Sequence, residues 1–360
     1  MWNMRRSRVI SIGGVLVGGG NPVVVQSMAS TDTRDVPATL AQLGRMAGAG
    51  CEVARLAVPD AEAARAFGEI RRSSPLPLVA DIHFDYRLAL RALESGADAL
   101  RINPGNIGGE AAVDSVVRAA QERGVPIRVG VNSGSVEKDL LARFGGPTPE
   151  AMVESALRHV RLLEDRNFYD IKVSLKSSSV ISTLAAYRLM ARKCDYPLHI
   201  GVTEAGTILR GAVKSAVGLG ILLNEGIGDT LRVSLTHDPV REMEVAYGIL
   251  RSLGLRARGP EIISCPTCGR TEIDLLALAS AVEENLRGVR DVFTVAVMGC
   301  VVNGPGEAAE ADVGIAGGRG RGILFRRGKK TRSVAGDAQT LLDALLLEID
   351  VFLQERKKKD

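Results

Sequence analysis

The chain has 360 residues, of which 46% are hydrophobic and 4% aromatic, and its formal net charge is +4. This composition predicts a large buried core, divided between two domains or between a barrel and a smaller unit. The small net charge argues against nucleic-acid binding, and the scarcity of aromatic residues argues against a base-stacking surface. No apolar run approaches the ~20 residues of a membrane-spanning helix, so no membrane association is expected.

The cysteines and the first residues indicate the compartment. Met1 to Arg8 is short and basic, and glycines interrupt the apolar residues after it, so we expect no signal peptide. The five cysteines are too few and too unevenly spaced for a disulfide framework. We therefore expect a cytoplasmic protein with reduced thiols. Cys51 and Cys194 lie far from the other three and are expected to be buried hydrophobic residues rather than ligands.

The first predicted element is a hairpin. Gly18-Gly-Gly-Asn21 resembles a tight turn between Val15–Val17 and Val23–Val25. We expect it to cap the base of the barrel that follows rather than to bind a nucleotide. The sequence has no Gly-x-x-x-x-Gly-Lys-Ser/Thr phosphate loop.

From about Val23 to Leu255, short β-rich segments alternate with amphipathic helical patterns. Eight strand–helix units over roughly 230 residues match the size of a (β/α)8 barrel. A doubly wound open sheet is the alternative, although nothing in the sequence explains eight such units in it. The predicted strands are Val23–Met28, Val53–Val58, Leu78–His83, Ala99–Asn103, Ile127–Asn132, Ile171–Lys176, Leu198–Thr203 and Leu231–Thr236.

Polar and apolar residues alternate along these strands. Because strand side chains point to opposite faces with period two, an apolar set packed on the helices places the polar set inside the barrel. In Ile127–Asn132, for example, the inward set begins with Arg128. By the same reasoning, six cationic side chains are predicted to point into the barrel: Arg55, Arg101, Arg128, Lys172, Lys176 and Arg232.

Six confined cations would each cost several kcal/mol unless anions neutralise them. Internal carboxylates such as Asp81 and Glu204 are expected to supply part of that charge. For any single cation a structural ion pair is an equally good interpretation. As a set, however, they outnumber the visible carboxylates, which predicts a phosphate-rich small molecule at the carboxyl ends of the strands.

Glu204 directly follows the seventh predicted strand, where a carboxylate is placed to donate or accept a proton. The alternative is a cap for a helix that opens at Ala205, although Glu is a poor capping residue. His83 also lies at the end of a predicted strand, but it is a weaker candidate for a proton donor or acceptor. His159 falls in a helical segment and is expected at the surface.

A composition change at Arg256 to Gly259 divides the chain into a barrel of residues 1–258 and a second domain of residues 259–360. We expect this second domain to be a small α/β unit. Its predicted elements are the strand Glu261–Ser264, a helix opened by a capping box at Thr271–Asp274 and ending near Arg287, the strands Phe293–Met298, Asp312–Ile315 and Ile323–Arg326, and a terminal helix Asp337–Leu353.

The second domain carries Cys265-Pro-Thr-Cys268 and, further on, Cys300 and Glu307. Three thiolates are one fewer than an iron–sulfur cluster or structural zinc usually has. A zinc site closed by Glu307 is one interpretation, but structural zinc usually draws on His as well as Cys, and no His follows His237. A thioredoxin-like dithiol would leave Cys300 unexplained. Three thiolates and a weakly held carboxylate suit a [4Fe–4S] cluster with one exchangeable iron.

Together the motifs resemble the 4-hydroxy-3-methylbut-2-enyl diphosphate synthase family, in its two-domain form, over nearly the whole chain. The motifs that carry the resemblance are Leu100-Arg-Ile-Asn-Pro-Gly-Asn106, Arg128-Val-Gly-Val-Asn132, Gly201-Val-Thr-Glu-Ala-Gly206, Cys265-Pro-Thr-Cys-Gly-Arg-Thr271 and Gly299-Cys-Val-Val-Asn-Gly-Pro-Gly-Glu307.

This resemblance implies a substrate and a set of roles. The substrate would be 2-C-methyl-D-erythritol 2,4-cyclodiphosphate, opened and deoxygenated in a two-electron reduction. Glu204 would act as the acid–base residue, and flavodoxin or ferredoxin would donate electrons. A head-to-tail homodimer would share each active site between subunits. The implied cluster ligands are Cys265, Cys268, Cys300 and Glu307, and the implied substrate-binding residues are Arg55, Arg101, Arg128, Asn132, Lys172, Lys176, Arg232, Ser234 and Asn303.

A hypothesis of another class remains at this point. The chain could be a non-redox phosphate-binding barrel whose second domain is a structural zinc module. The first hypothesis predicts a brown, oxygen-sensitive protein, whereas the second predicts a colourless protein that is stable in air.

Overall fold

The computed structural model describes residues 5–300 and 304–358. These residues form two compact units that divide between Arg256 and Ala257. Within the described ranges, no helix is long and apolar enough to cross a membrane. Asn303, one of the implied substrate-binding residues, lies outside the described residues.

The first unit opens with a hairpin of β1 (Ile10–Ile12) and β2 (Val15–Val17), which pair antiparallel. The predicted hairpin around Gly18–Asn21 is therefore wrong. All three glycines of that segment have positive φ, and they lead the chain from β2 into the barrel, where the next strand pairs in parallel. The expected position is nevertheless confirmed, because the hairpin packs on the amino-terminal ends of barrel strands through Val24, Val53, Val79 and Ala99.

Eight parallel strands form the barrel, as predicted. Hydrogen bonding follows the order β8-β7-β6-β5-β4-β3-β10-β9, and a parallel bridge from Val173 to Leu198 brings the two ends together. The strands are β3 (Val24–Met28), β4 (Val53–Ala57), β5 (Leu78–Asp81), β6 (Ala99–Ile102), β7 (Ile127–Asn132), β8 (Ile171–Lys176), β9 (His199–Ile200) and β10 (Thr230–Leu231).

Helices cover the outside of the barrel and bury one apolar face each. The stripe of Val113, Val116, Val117 and Ala120 is buried, as its periodicity predicts. The barrel helices are α1 (Val36–Ala49), α2 (Ala61–Ser73), α3 (Tyr86–Glu94), α4 (Glu110–Arg123), α5 (Lys138–Phe144), α6 (Pro149–Glu164), α7 (Val180–Lys193), α8 (Ile208–Asn224) and α9 (Pro239–Ser252).

The second unit is a five-stranded mixed sheet in the order β11-β12-β13-β14-β15, with the first three strands parallel. Apolar side chains of α10 and α12 pack on one face, and those of α11 pack on the other. The elements are β11 (Glu261–Ser264), α10 (Leu275–Leu286), β12 (Thr294–Met298), α11 (Gly304–Glu310), β13 (Val313–Gly318), β14 (Arg321–Arg326), β15 (Lys329–Ala335) and α12 (Ala338–Lys357).

Two elements of this unit, α11 and β15, were not predicted, and α10 begins later than expected. The expected capping box at Thr271 is wrong, since Asp274 is the N-cap and accepts a hydrogen bond from the backbone N–H of Ala277. The short aspartate side chain reaches the free N–H groups of the first turn.

Candidate active site

A row of charged side chains crosses four neighbouring strands of the barrel at one level. Asp81, Arg101, Arg128 and Lys172 are successive register partners on β5, β6, β7 and β8. All four are buried. Because parallel neighbours lie about 4.8 Å apart, three adjacent cations in one row repel one another, and folding alone gives no reason for that arrangement.

The remaining predicted cations join this row inside the barrel. Arg55 lies 3.4 Å from Asp81, and Lys176 lies 3.3 Å from the ring nitrogen Nε2 of His199. Arg55 and Arg232 both approach the sulfur of Met28, at 2.9 and 3.7 Å. The structure thus places all six predicted cations around one interior, as the strand alternation indicates.

Two carboxylates form ion pairs with these cations and compensate part of their charge, and the buried Asp229 also acts on Lys172. Burial alone would raise the pKa of Asp81, but Arg55, a hydrogen bond from His83 and Arg101 hold it well below its usual range. The second carboxylate is Glu242, near the start of α9, which lies 3.3 Å from Arg232 and is itself buried.

Sequence reasoning missed Glu242 because it belongs to a helix and not to a strand. Its position in the first turn after the eighth strand was the available signal, since that turn lies at the carboxyl end of the barrel. Glu204 was named instead as an internal carboxylate. That expectation is wrong, because its side chain is exposed.

Several cations keep no carboxylate partner within residues 5–300 and 304–358. Two buried guanidinium nitrogens of Arg128, Nε and Nη1, have no hydrogen-bond partner among the described residues. The ammonium of Lys172 meets only the amide oxygen of Gln26, at 3.3 Å, in the described structure. Burial, and to a smaller extent the neighbouring cations, lower the pKa values of Arg128, Lys172 and Lys176 well below their usual range. Such a site favours a multiply charged anion.

Two glycines make room for these cations. A Cβ at Gly130 would lie 2.9 Å from Nε of Arg101, and one at Gly201 would lie 2.9 Å from Nζ of Lys176. Both distances are too short for ordinary contact, so any larger residue would displace the cation.

The other predicted barrel residues lie toward the carboxyl ends of the strands. Asn132 ends β7 and Ser234 follows β10, and both are half-buried. Glu204 lies between β9 and α8 with φ of +52°, a backbone conformation that side-chain-bearing residues rarely adopt. The interpretation of Glu204 as a helix cap is wrong, because α8 starts at Ile208 with Thr207 at its N-cap.

Among the four histidines, one is exposed beside Arg101 and two are buried. His83 is 55% exposed and lies 3.1 Å from Nη1 of Arg101. His199 is buried and its pKa is far below its usual value, because burial and the nearby cations disfavour its charged form. The expectation of a surface position for His159 is wrong, since this side chain is also buried; α6 turns it toward the barrel loops.

In the second unit, the cysteines follow the carboxyl ends of two paired parallel strands. Cys265 comes directly after β11 and Cys300 follows β12, and Ser264 is the register partner of Val297. The backbone N–H of Glu272 donates to the carbonyl of Gly299 at 2.9 Å, which joins the loop after Cys268 to the one that carries Cys300.

The chemistry of this donor set fits an iron–sulfur cluster. Hydrogen bonds from the backbone and side chain of Arg270 lower the pKa of the Cys268 thiol, which favours the thiolate form that binds iron. Glu307 is exposed on α11, whose first residue packs beside Met298 at the end of β12. Among the described residues, no three Cys, His, Asp or Glu side chains are already gathered as a metal site.

Comparison with known proteins gives a consistent result over the whole chain. The protein-family model described as "GcpE TIM-barrel domain" matches residues 7–247, and the family model described as "GcpE protein C-terminal domain" matches residues 261–351. Curated relatives named 4-hydroxy-3-methylbut-2-en-1-yl diphosphate synthase (flavodoxin) include one from Maridesulfovibrio salexigens, 68% identical over 99% of both chains. Another, from Bacillus subtilis, is 52% identical over 98% of this chain and 93% of its own.

Proposed function

The chain belongs to the GcpE family, and we propose that it converts 2-C-methyl-D-erythritol 2,4-cyclodiphosphate to 4-hydroxy-3-methylbut-2-enyl diphosphate, a step of isoprenoid biosynthesis. It is an oxidoreductase in this assignment. The observation that carries the proposal is the set of buried barrel cations without enough carboxylates to neutralise them. A cyclic diphosphate supplies the missing negative charge in a compact form.

The barrel would bind the diphosphate through Arg128, Lys172 and Lys176, which keep no carboxylate partner of their own in the described structure. Arg55, Arg101 and Arg232 are held by Asp81 and Glu242 and would present their remaining N–H groups to the phosphates. Asn132, Ser234 and Asn303 would add neutral hydrogen bonds. Asp81 and Glu242 thus orient the arginines rather than bind substrate.

Glu204 would handle the protons of the reaction. Removing one oxygen from the cyclic substrate as water consumes two electrons and two protons, so a proton donor must lie beside the departing hydroxyl. The exposed carboxyl of Glu204, on a loop after β9, is placed to deliver one of these protons.

A [4Fe–4S] cluster held by Cys265, Cys268, Cys300 and Glu307 would supply electrons one at a time and a Lewis-acidic iron for the substrate oxygen. Glu307 is the weakest of these ligands by chemistry, because a carboxylate is harder than a thiolate. The three thiols would fix the cluster, and Glu307 would mark the exchangeable position. We accordingly assign residues 1–258 to substrate binding and residues 259–360 to cluster binding.

The partners follow from the same assignment. We propose flavodoxin as the electron donor, since the relatives carry that donor in their names, and ferredoxin as the alternative. We also propose a cytoplasmic homodimer in which each active site is shared between subunits. An exposed apolar stripe on α8, formed by Leu209, Val213 and Val217 at 76%, 55% and 48% exposure, supports such an association, because large apolar side chains at helical spacing rarely stay in water.

The first experiment is an anaerobic purification with metal and sulfide analysis, followed by turnover of the cyclic diphosphate with a strong one-electron donor. We expect about four iron and four sulfide per chain and a broad visible band near 400 nm, as is typical of a [4Fe–4S] site. Zinc without iron in a cluster-competent preparation would contradict the proposal and favour a structural zinc module.

A further inference from the structure

Buried His159 connects two loops at the carboxyl end of the barrel. Its ring nitrogen Nδ1 accepts a hydrogen bond from the backbone N–H of Gly105 at 3.1 Å. Gly105 belongs to a single 3-10 turn, Pro104–Asn106, which follows β6 and therefore Arg101. On its other side, Nε2 of His159 lies 3.3 Å from a carboxylate oxygen of Glu137.

Glu137 belongs to the segment 133–137, which connects the end of β7 at Asn132 to α5. Both of its oxygens are buried, and apart from the approach of His159 no hydrogen-bond partner is found for either within the described residues. Because Nδ1 accepts from Gly105, the ring proton must lie on Nε2, where it faces Glu137. One imidazole thus bridges the loop after β6 and the loop after β7.

The backbone around this bridge is shaped to fit it. A Cβ at Gly105 would lie 2.6 Å from Cε1 of His159, so only glycine allows the ring to approach the turn. One residue before this turn, the side chain of Asn103 accepts a hydrogen bond from the backbone N–H of Gly130 at 3.3 Å. The turn is therefore fixed on one side by α6 and on the other by β7.

We propose that His159 is a positioning residue for the anion site, and that its two ring nitrogens set the loops that adjoin Arg101 and Asn132. His159 does not touch substrate in this arrangement. This inference rests on the proposed function, because it assumes that the barrel interior binds the diphosphate.

The test compares His159→Leu, which removes both polar contacts, with His159→Asn, whose amide oxygen can replace Nδ1 as the acceptor. Dissociation constants for inorganic pyrophosphate and for the cyclic diphosphate are measured on the full-length, cluster-loaded protein, together with KM, kcat and Tm. Hydrogen bonds within a protein each change an equilibrium constant by roughly two- to tenfold, and the leucine variant loses the two contacts that hold the loops. We therefore expect both dissociation constants and KM to increase by about tenfold in this variant. We expect kcat and the visible spectrum to change little, and the asparagine variant to recover most of the affinity.

A matched control is Arg161→Gln, an exposed position on the same helix, which is expected to behave like the unmodified protein. If the leucine variant lowers Tm but leaves both dissociation constants unchanged, the role is only structural and the inference fails. An asparagine variant as weak as the leucine variant would overturn it as well.

Two further outcomes keep the tests separate. If the leucine variant does not fold, Gly105→Ala perturbs the same contact from the loop side and should weaken binding similarly; unchanged binding there would overturn the inference. If the unmodified protein binds pyrophosphate but neither binds nor converts the cyclic diphosphate, the proposed function fails, whereas the effect of His159 on pyrophosphate binding is still measured.

Discussion

At the scale of single residues, two arginines of the barrel unit illustrate opposite uses of a charge. Arg256 is held by both oxygens of Glu52, at 2.7 and 2.9 Å, and donates to the carbonyl of Val23. Arg128 is more deeply buried, yet two of its nitrogens have no partner in the described structure. The first contributes to stability, whereas the second is a cost that only a bound anion offsets.

This contrast predicts opposite outcomes for the two methionine substitutions. Arg128→Met should raise KM by about a hundredfold or more, since charged hydrogen bonds contribute roughly 1.5–3 kcal/mol each, while the ligand-free Tm stays constant or rises. Arg256→Met should lower the free energy of unfolding by about 1–3 kcal/mol and leave KM unchanged. Steady-state kinetics and thermal unfolding measure both. A strongly destabilised Arg128→Met protein would show that this arginine is structural.

Glu204 allows a second separation of stability from activity. Replacing it with glycine relieves the positive φ of +52° and should stabilise the protein by about 1 kcal/mol, whereas glutamine keeps the strain. Because both changes remove the carboxyl group, both should lower kcat by about a hundredfold or more. Single-turnover rates and Tm are the measurements. Full activity in the glutamine variant would exclude a proton-transfer role.

The site residues that the sequence predicted and those that it missed lie on different kinds of secondary structure. Strand residues such as Arg101 and Lys172 could be placed inside the barrel, because alternation fixes the face of each side chain. Glu242 and His159 could not, since a helix position becomes a site position only through the angle and depth at which the helix packs. Glu204 shows a related limit, as the sequence gives its place after β9 but not its exposure.

At the scale of elements, Gly201 shows how a strand end can shape a charged pocket. A methyl group there would lie 2.9 Å from Nζ of Lys176 and 2.8 Å from the carbonyl of Arg232. We expect Gly201→Ala to weaken binding of the cyclic diphosphate by about tenfold or more, as misplaced binding groups commonly do. The control is Gly220→Ala on α8, where the added methyl group meets nothing within 4 Å. It should stabilise the helix by up to about 1 kcal/mol without changing affinity, and calorimetry would compare the two.

Six of the eight barrel strands lie within two residues of their predicted bounds, while β9 and β10 are shorter than expected. The alternation in Leu198–Thr203 predicts a strand over all six residues, but strand pairing ends at Ile200, before the chain reaches the strained Glu204. The exposed edge strand β15 was missed because all but one of its residues are exposed, and it therefore has no buried face to give a period-two signal. A strand without a buried face thus gives no sequence signal, and alternation alone does not fix the residue at which pairing ends.

At the scale of the whole molecule, the buried lysines couple stability to pH. Burial lowers the pKa of Lys172 and Lys176 well below the ordinary 10.5. At pH values below the folded-state pKa, both states bind these protons and the full destabilisation is present. Between the folded-state pKa and about 10.5, the unfolded chain binds more protons than the folded one, so the free energy of unfolding increases with pH.

A bound diphosphate should reverse this behaviour, because an anion beside the lysines favours their charged forms and raises their pKa. We expect the Tm of the ligand-free protein to rise as the pH approaches about 10 relative to a Lys172→Met variant, and this relative rise to vanish at saturating cyclic diphosphate. In the same pH range, calorimetry in buffers of different ionisation enthalpy should detect proton uptake on binding. Binding without proton uptake would mean that the ligand-free lysines already carry their full charge. In that case an anion not provided by the described side chains would have to neutralise them.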